Sequence, residues 1–287
     1  MFALRASRAR AGGSEPRVAA IDWAMLETAL ALGVVPVAAT ELRQYRAIAV
    51  EPAVPPGVAD LGLRGLPNYE QLRAVAPDLI LISGFYETMR AQLERIAPVF
   101  SATIYVPGEP PYARAEAAAL ALGERLGRLP QARELAATAA AEIERLRGRL
   151  RAEAARPVFV ASIGDARHFR AFGADSMFGD VLSRLGFTNA WQAETRYSAA
   201  APVGIEALAT VPDAALVVVE PVPPDARRTL AASALWRALP MVREGRVSVL
   251  PPVDPFGGLP AAQRFARLFA ACLSGECRRD PIGGSDG

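Results

Sequence analysis

Two segments of the chain show the same order of apolar and polar positions. Residues 67–82 read PNYEQLRAVAPDLILI, and residues 202–219 read PVGIEALATVPDAALVVV. In both segments a short helix carries an acidic residue, Pro-Asp follows, and a continuous apolar run predicts a buried strand. The duplication predicts two similar lobes, and it places one glutamate, Glu70 or Glu206, at the same point of each lobe.

Apolar runs elsewhere in the chain alternate between strand and helix patterns, which is typical of a parallel sheet. Asp22 is a suitable N-cap for the first helix, and Gly33 is suited to end it. Strands outside the duplicated segments are predicted at residues 17–21, 34–38, 103–106, 158–163 and 247–250. Further helices are predicted at residues 89–96, 176–185 and 260–273.

Residues 113–155 consist mainly of Ala, Leu, Glu and Arg, which are strong helix formers. Pro130 interrupts this region and suits the first turn of a new helix. We expect that helix to cover residues 130–154 and to join the two lobes, so that their relative motion is small. Its apolar positions have helical spacing and are Leu135, Ala139, Ile143, Leu146 and Leu150.

The predicted fold is α/β, with two Rossmann-like lobes, mainly parallel sheets, a single long connecting α-helix and a ligand cleft between the lobes. A length of 287 residues also favours two lobes, because it exceeds the size at which one core usually stops growing. The predicted divisions are a flexible N-terminal segment (1–16), an N-terminal lobe (17–112), a helical region (113–155), a C-terminal lobe (156–273) and a flexible tail (274–287).

The charge distribution and the hydropathy of the chain argue against two classes of protein. The 32 basic and 30 acidic residues are interspersed, and no basic cluster favours a nucleic-acid partner. No run of about 18 uninterrupted apolar residues is present, so no membrane-spanning helix is predicted.

Two features bear on the compartment in which the protein works. Residues 1–16 contain no apolar core of signal-peptide length, so the chain is either cytosolic or its export signal was removed or lies upstream. Cys272 and Cys277 are the only cysteines, and they form either a disulfide in an oxidising compartment or two unrelated thiols. Two cysteines without a nearby histidine do not indicate a metal site.

Sequence motifs of catalysis are absent. The chain has no Gly-x-Ser-x-Gly, no phosphate-binding Gly-rich loop, no His-Glu-x-x-His and no Cys/His cluster. Its only histidine, His168, stands beside Arg167 and is interpreted as a structural hydrogen-bonding residue rather than a general base. Two α/β lobes without catalytic motifs indicate a protein that binds a ligand in its cleft and is not an enzyme.

Polar and aromatic residues in loops and at strand ends are the candidates for this cleft. Arg64 lies in the loop before the first duplicated segment, where the alternative is a solvated surface arginine. Ser83 and Tyr86 follow the strand at residues 79–82, at the edge where ligands of parallel sheets bind. Trp191 and Phe256 are each either an aromatic platform for a ligand or part of a small core.

Several short runs occur in an order that is found in one family. They are Tyr45-Arg46, Glu51-Pro52-Ala53-Val54-Pro55, Gly62-Leu63-Arg64, Pro67-Asn68, Arg95-Ile96-Ala97-Pro98, Ala166-Arg167-His168, Phe172-Gly173, Asn189-Ala190-Trp191-Gln192 and Glu194-Thr195. Across residues 17–273 the chain thereby resembles the periplasmic binding proteins for ferric hydroxamate siderophores. These are the substrate-binding proteins of ABC importers, with two α/β lobes joined by one long helix.

The resemblance implies a role for several of the candidate residues. Arg64 and Tyr86 would hydrogen-bond the hydroxamate oxygens around the iron, and Trp191 would belong to the aromatic side of the cleft. Because the siderophore already fills the coordination sphere of the iron, no metal ligand from the protein and no cofactor is implied.

The resemblance also implies a periplasmic monomer that hands a ferric siderophore to an inner-membrane ABC permease. Glu70 and Glu206 would be the acidic residues that meet arginines of that permease, through exposed ion pairs that are individually weak. The alternative for each glutamate is an ordinary exposed helix position.

The chain departs from the family pattern within the cleft. Aromatic positions of the family coincide here with Ile48, with Ser198 next to Tyr197, and with Asp254 and Pro255 before Phe256. Arg170 stands where the family is apolar. The cleft is therefore predicted to be less aromatic and more charged, and an Arg170 that faces it favours a hydroxamate siderophore that also carries carboxylates.

Other functions are compatible with parts of the pattern. A cobalamin or haem carrier would use the same fold, and a strongly anionic ferric catecholate would need several cations, for which Arg64, Arg170 and Arg196 are available. A cytosolic two-lobed transferase is the alternative from a different class. It needs a phosphate-binding loop and a general base, which the sequence lacks.

Overall fold

The computed structural model describes residues 16–193, 195, 202–276 and 282, and within them it forms two five-stranded sheets and a two-stranded hairpin. The strands of the N-terminal lobe are β1 (Val18–Ala20), β2 (Ala38–Ala39), β3 (Ala59–Asp60), the hairpin strands β4 (Gly62–Leu63) and β5 (Leu66–Pro67), β6 (Leu79–Ser83) and β7 (Val99–Ala102). Its helices are α1 (Trp23–Ala31), α2 (Leu42–Ile48), α3 (Tyr69–Ala74) and α4 (Arg90–Leu93). The five-stranded sheet is parallel, with the order β3-β2-β1-β6-β7.

Two helices connect the sheets, α5 (Tyr112–Arg125) and α6 (Leu129–Arg149). Pro130 lies in the first turn of α6, as its missing backbone N–H allows. The helix α6 ends at Arg149 rather than near residue 154, and residues 151–155 form turns. Among the helices in the described part of the chain, none is both long enough and apolar enough to cross a bilayer.

The C-terminal sheet combines parallel strands with an antiparallel edge. Its strands are β8 (Val158–Ile163), β9 (His168–Ala171), β10 (Val203–Gly204), β11 (Ala215–Val219) and β12 (Val247–Leu250). They stand in the order β10-β9-β8-β11-β12, in which β9 is antiparallel to both of its neighbours. The helices of this lobe are α7 (Met177–Arg184), α8 (Pro224–Ala232), α9 (Ala234–Ala238), α10 (Pro240–Arg243) and α11 (Leu259–Ala271). The predicted α/β fold with two lobes and mainly parallel sheets is confirmed.

The duplicated segments occupy equivalent places in the two sheets. The strands that end them, β6 and β11, are each fourth in their sheet. Glu70 lies nine residues before Leu79, and Glu206 lies nine residues before Ala215. The first glutamate is in an α-helix, α3, whereas the second is in a 3₁₀ helix, Ile205–Thr210, so the local helix type is not duplicated.

One hydrophobic core extends through both lobes. Because side chains alternate across a strand, Leu79 and Leu81 point into this shared core while Ile80 and Ile82 pack into a separate core on the outer face of the N-terminal sheet. Val217 of β11 belongs to the same shared core, together with apolar residues of α1, α5, α6, α7 and α11. A continuous core resists wide hinge motion between the lobes, because packed interiors do not deform freely.

Polar contacts also cross between the lobes. Glu51, which follows α2, accepts hydrogen bonds from Arg264 at 2.8 Å and Arg267 at 2.5 Å, both on α11. The backbone N–H of Tyr112 donates to Asp180 of α7 at 2.8 Å. These contacts bind α11 and α7 to elements that precede them by a long stretch of chain.

Two predicted strands differ from the structure. The strand predicted at residues 34–38 is reduced to β2, Ala38–Ala39, because Pro36 has no N–H to donate to a ladder. The strand predicted at residues 103–106 is wrong, since β6 pairs with Val99–Ala102. The apolar residues Ile104 and Tyr105 are instead buried in the loop that follows β7.

The predicted ends of the first helix are confirmed. Asp22 is the N-cap of α1 and accepts a hydrogen bond from the backbone N–H of Met25 at 3.0 Å. Gly33 follows the helix with a φ of 78°, a conformation that favours glycine. Cys272 is buried, and Cys277 lies outside the described residues, so the choice between a disulfide and two thiols stays a prediction.

Candidate functional site

Two cavities lined by described residues, of about 950 Å³ and 450 Å³, lie in the cleft between the lobes. Residues of the N-terminal lobe line most of the larger cavity, and residues of the C-terminal lobe line most of the smaller one. The loop between β12 and α11 contributes to both, with Phe256 in the larger cavity and Val253 and Pro255 in the smaller. Both volumes lie in the range of small-molecule sites.

Arg64 lines the larger cavity from the two-residue turn of the β4–β5 hairpin. Its Nε donates to Glu41 Oε2 at 2.7 Å, and its guanidinium carbon lies 3.9 Å from the centre of the Trp23 ring. The two terminal nitrogens make no hydrogen bond to any described residue. Glu41 therefore holds the guanidinium at Nε and Trp23 holds one of its faces, so that the terminal nitrogens are available to a ligand.

Glu41 fixes both the side chain and the backbone of Arg64. Its second oxygen, Oε1, accepts from the backbone N–H of Arg64 at 3.2 Å. Glu41 has a φ of 50°, which is uncommon for a residue other than glycine, and its own N–H donates to Gly62 at 2.8 Å. This strained position brings the Glu41 carboxylate to the base of the hairpin, where it orients the guanidinium.

Ser83 and Tyr86 follow β6 and line the larger cavity, as their places at the carboxyl end of the strand predict. The Ser83 hydroxyl is buried and donates to Asp22 Oδ2 at 2.8 Å, so it supports the cavity wall. Burial, followed by the charge of Asp22, raises the pKa of Tyr86 to about 12. The Tyr86 hydroxyl is therefore a neutral donor at neutral pH.

Three aromatic rings form an apolar wall of the larger cavity. Phe85 stacks on Tyr105 with ring centres 6.1 Å apart, and Phe256 meets both rings edge to face at 5.6 Å. The Tyr105 hydroxyl donates to the carbonyl oxygen of Gly257 at 2.5 Å. Phe85 is 42 % exposed, so the wall offers an open aromatic surface to a bound molecule.

The larger cavity is acidic apart from Arg64. Asp22, Glu41 and Glu87 line it, and Arg64 is the one basic residue among its described lining residues. Glu87 accepts hydrogen bonds from Arg90, which lies outside the lining. A ligand in this cavity thus meets one guanidinium group surrounded by carboxylates.

The smaller cavity brings Ile48 together with Arg170. Asp165 and Glu220 share the lining, and Asp165 accepts from the ring Nδ1 of His168 at 3.0 Å. Arg170 has no ion-pair partner among the described residues. Within that part of the chain no carboxylate neutralises its guanidinium, which can meet a negatively charged group.

Trp191 and Asp254, two further candidates for the cleft, line neither of these cavities. Trp191 lines neither cavity, and its ring packs edge to face on Phe169 at 6.0 Å, against the core of the C-terminal lobe. Asp254 is buried behind the cavity wall, where its Oδ1 accepts from the backbone N–H of Phe256 at 3.1 Å. Tyr197 and Ser198, and Arg196 beside them, lie outside the described residues.

Glu70 and Glu206 are exposed, one on each lobe, and neither has an ion-pair partner among the described residues. Each is in the first turn of its helix, where a carboxylate interacts favourably with the helix dipole. Both carboxylates are therefore available to a partner.

Sequence reasoning missed Trp23, Glu41, Phe85 and Tyr105 as cavity residues. Phe85 stands beside Tyr86 after β6, which is a signal that the same strand-end argument could have used. No local pattern identifies Glu41 or Trp23, because both act through Arg64, which is distant in sequence.

Comparison with known proteins gives consistent matches. A family model described as "Periplasmic binding protein" matches residues 18–253. The iron(3+)-hydroxamate-binding protein FhuD of Escherichia coli K12 is 31 % identical over 269 residues, which cover 93 % of this chain and 90 % of that protein.

Solved structures show the same architecture. The siderophore-binding protein FhuD from Vibrio cholerae, bound to Fe³⁺-Desferal, matches with a TM-score of 0.86 and 27 % identity, over 92 % of this chain and all of that chain. The catecholate-siderophore-binding protein VctP from Vibrio cholerae matches with a TM-score of 0.68 and 17 % identity, over 92 % of this chain and 95 % of that chain. At that lower identity the likeness concerns the fold alone.

Proposed function

The chain belongs to the periplasmic binding protein family, and on this basis we propose that it captures a ferric hydroxamate siderophore in the interlobe cleft for delivery to an ABC permease. The family and the similar proteins are binding proteins and not enzymes. The siderophore supplies all the ligands of the iron, and the protein contributes hydrogen bonds and aromatic contacts from outside the coordination sphere. The site of action is outside the cytoplasmic membrane, in the periplasm.

The single observation that carries this proposal is the guanidinium of Arg64, held by Glu41 and Trp23 with its terminal nitrogens free. A ferric tris-hydroxamate has no net charge but presents six oxygens with partial negative charge, so one fork is a sufficient cationic donor. Tyr86 adds a neutral donor, and the Phe85 wall adds apolar contact. Charge-assisted hydrogen bonds of about 1.5–3 kcal/mol and aromatic contacts of about 2–3 kcal/mol together correspond to roughly micromolar affinity.

The charge of the larger cavity favours hydroxamates over catecholates. A ferric tris-catecholate is strongly anionic, and the carboxylates of Asp22, Glu41 and Glu87 in the cavity lining would repel it. Arg64 alone does not offset these carboxylates. A neutral complex experiences no such net repulsion.

Titration of tryptophan fluorescence at pH 7 with matched ferric complexes tests the proposal. Because the Trp23 ring lies in the cavity wall, bound iron should quench its emission. We expect a neutral ferric tris-hydroxamate to saturate the protein at roughly micromolar concentration and a ferric tris-catecholate to bind at least about tenfold more weakly. Equal binding of both, or tighter binding of the catecholate, would contradict the assignment of hydroxamate as the ligand class.

Arg170 is proposed to select among hydroxamate siderophores. A hydroxamate whose pendant carboxylates reach the smaller cavity would meet the Arg170 guanidinium, which has no ion-pair partner among the described residues. In the same titration, Arg170→Ala should weaken binding of the carboxylate-bearing complex and leave binding of the neutral complex unchanged. An Arg170→Ala variant that binds the carboxylate-bearing complex as tightly as the wild type does excludes a role for Arg170 in ligand choice.

Glu70 and Glu206 are proposed to dock the loaded protein on the permease. Each exposed ion pair contributes only about 0–1 kcal/mol, so reversing both charges should have a larger effect than reversing one. We expect Glu70→Lys/Glu206→Lys to abolish most siderophore-dependent iron uptake by cells while the purified variant binds ligand normally. Normal uptake by the double variant would remove both residues from the docking surface.

A further inference from the structure

The loop from Asp254 to Gly258, between β12 and α11, separates the two cavities of the cleft. Phe256 at its centre contributes the aromatic wall of the larger cavity. The position of this loop therefore decides the shape of the ligand site. Two buried carboxyl groups, those of Glu27 and Asp254, hold it.

Glu27 reaches the loop from the other lobe. It lies on α1, its side chain is fully buried, and its Oε1 accepts from the backbone N–H groups of Gly258 and, at 3.2 Å, Ala261. These are N–H groups of the first turn of α11, which have no partner within the helix. A Cβ atom at Gly257 would lie 2.8 Å and 3.1 Å from the two oxygens of Glu27. The absence of a side chain at Gly257 therefore lets the Glu27 carboxyl group reach the backbone of the loop.

Each of the two carboxyl groups has one oxygen without a hydrogen-bond partner among the described residues. Glu27 Oε2 and Asp254 Oδ2 are both buried, and neither finds a hydrogen-bond donor among the described residues. The nearby cation, Arg64, is already paired with Glu41. Two ionised carboxylates buried close together are strongly unfavourable even with Arg64 in the neighbourhood, and a pair that holds one proton is less so.

We propose that the buried Glu27–Asp254 pair holds a single proton, carried by Glu27, and that this shared proton positions the Phe256 loop for ligand binding. Glu27 is thus a positioning residue that acts through the loop. The link to ligand binding rests on the proposed function, whereas the shared proton itself does not.

The electrostatic surroundings support this protonation. Burial, followed by the charge of Asp254, raises the pKa of Glu27 well above its ordinary value, and burial raises the pKa of Asp254 to about 6. Burial also raises the pKa of Asp22, whose carboxylate is held by Met25 and Ser83. The other titratable and charged groups that face the pair are Tyr45 of α2, Arg64 of the hairpin, and Tyr86 and Tyr105 of the cavity wall.

The direction of the pH effect follows from these raised pKa values. An acid whose pKa is higher in the folded protein stabilises the fold below its unfolded pKa, and this contribution is lost as the pH rises through the folded pKa. The tyrosines stay neutral through this range because their pKa values are raised as well. Stability and ligand affinity should therefore both fall as the pH rises from 6 to 9.

Glu27→Gln tests the proposal, because the amide of Gln keeps an acceptor for the first turn of α11 and is neutral at every pH, so it takes the place of the protonated carboxyl. Denaturant unfolding and titration with a neutral ferric tris-hydroxamate are measured from pH 6 to 9. Since one pKa unit corresponds to a tenfold effect, we expect the wild-type affinity to fall about tenfold and that of the variant to change less than about twofold. Glu124→Gln, an exposed substitution on α5, is the matched control and should keep the wild-type profile.

Two further measurements keep the test decisive. Asp254→Asn removes the charge that helps to raise the pKa of Glu27 and should also flatten the pH profile, which covers the case of a Glu27→Gln variant that does not fold. The infrared C=O band of a protonated buried carboxyl should be present in the wild type at pH 7 and absent from Glu27→Gln. A wild-type pH slope in both variants, or no protonated-carboxyl band, would overturn the proposal. A flattened stability profile without any ligand binding would instead retain the shared proton and reject the proposed function.

Discussion

The Arg64→Gln variant is expected to bind a neutral ferric tris-hydroxamate about 100-fold more weakly than the wild-type protein, through loss of charge-assisted hydrogen bonds worth about 3 kcal/mol. The guanidinium is the one basic group among the described residues that line the larger cavity, so no neighbour can replace it. Fluorescence titration gives the ratio of the dissociation constants. Circular dichroism before the titration establishes that the variant is folded.

Two control variants separate the roles of Arg64. Arg64→Lys keeps the charge but loses the fork and the contact with the face of Trp23, and it should recover less than half of the lost binding free energy. Glu41→Gln/Arg64→Gln removes the carboxylate that the single substitution leaves unpaired. It should bind as weakly as Arg64→Gln while regaining stability. Wild-type affinity in Arg64→Gln would exclude the guanidinium as the main ligand contact.

The Phe265→Ala variant is expected to lower the free energy of unfolding by about 3–5 kcal/mol, the usual cost of a large cavity in a core. Phe265 of α11 is fully buried and stacks on Phe178 of α7 with ring centres 4.5 Å apart. Both rings belong to the core that extends into the N-terminal lobe. Denaturant unfolding should therefore show one cooperative transition at a lower midpoint, with both lobes unfolding together.

Phe85→Ala is the matched control for that experiment. The residue type is the same, but Phe85 is 42 % exposed in the cavity wall, so its loss should change stability by less than about 1 kcal/mol and weaken ligand binding instead. Two separate unfolding transitions in Phe265→Ala would contradict a core shared by the lobes.

The sequence alone was sufficient for the fold class and for the positions of residues that follow from local pattern. The duplicated segments predict β6 and β11, which take equivalent places in their sheets because apolar runs of this length bury on both faces. Tyr86 lines the cavity because the carboxyl ends of parallel strands open onto the cleft. Arg64 lines it because a hairpin turn follows Gly62-Leu63.

Contacts between distant parts of the chain could not be predicted. Glu41 and Trp23 look like ordinary helix-start residues, and only the fold brings them to Arg64. Glu27 reads as a polar position of α1, yet it is fully buried and caps a helix that follows it by more than two hundred residues. Trp191 carries no sequence signal that distinguishes a cleft platform from the partly buried position that it has beside Phe169.

The crystal structure of the complex with a neutral ferric tris-hydroxamate would show directly whether Arg64 binds the ligand. We expect the iron complex in the larger cavity, with the terminal nitrogens of Arg64 and the hydroxyl of Tyr86 within hydrogen-bond distance of hydroxamate oxygens and the Phe85 ring against the ligand. We also expect no protein atom in the coordination sphere of the iron. An iron complex bound elsewhere, or one whose oxygens do not meet Arg64, would exclude Arg64 as the main ligand contact.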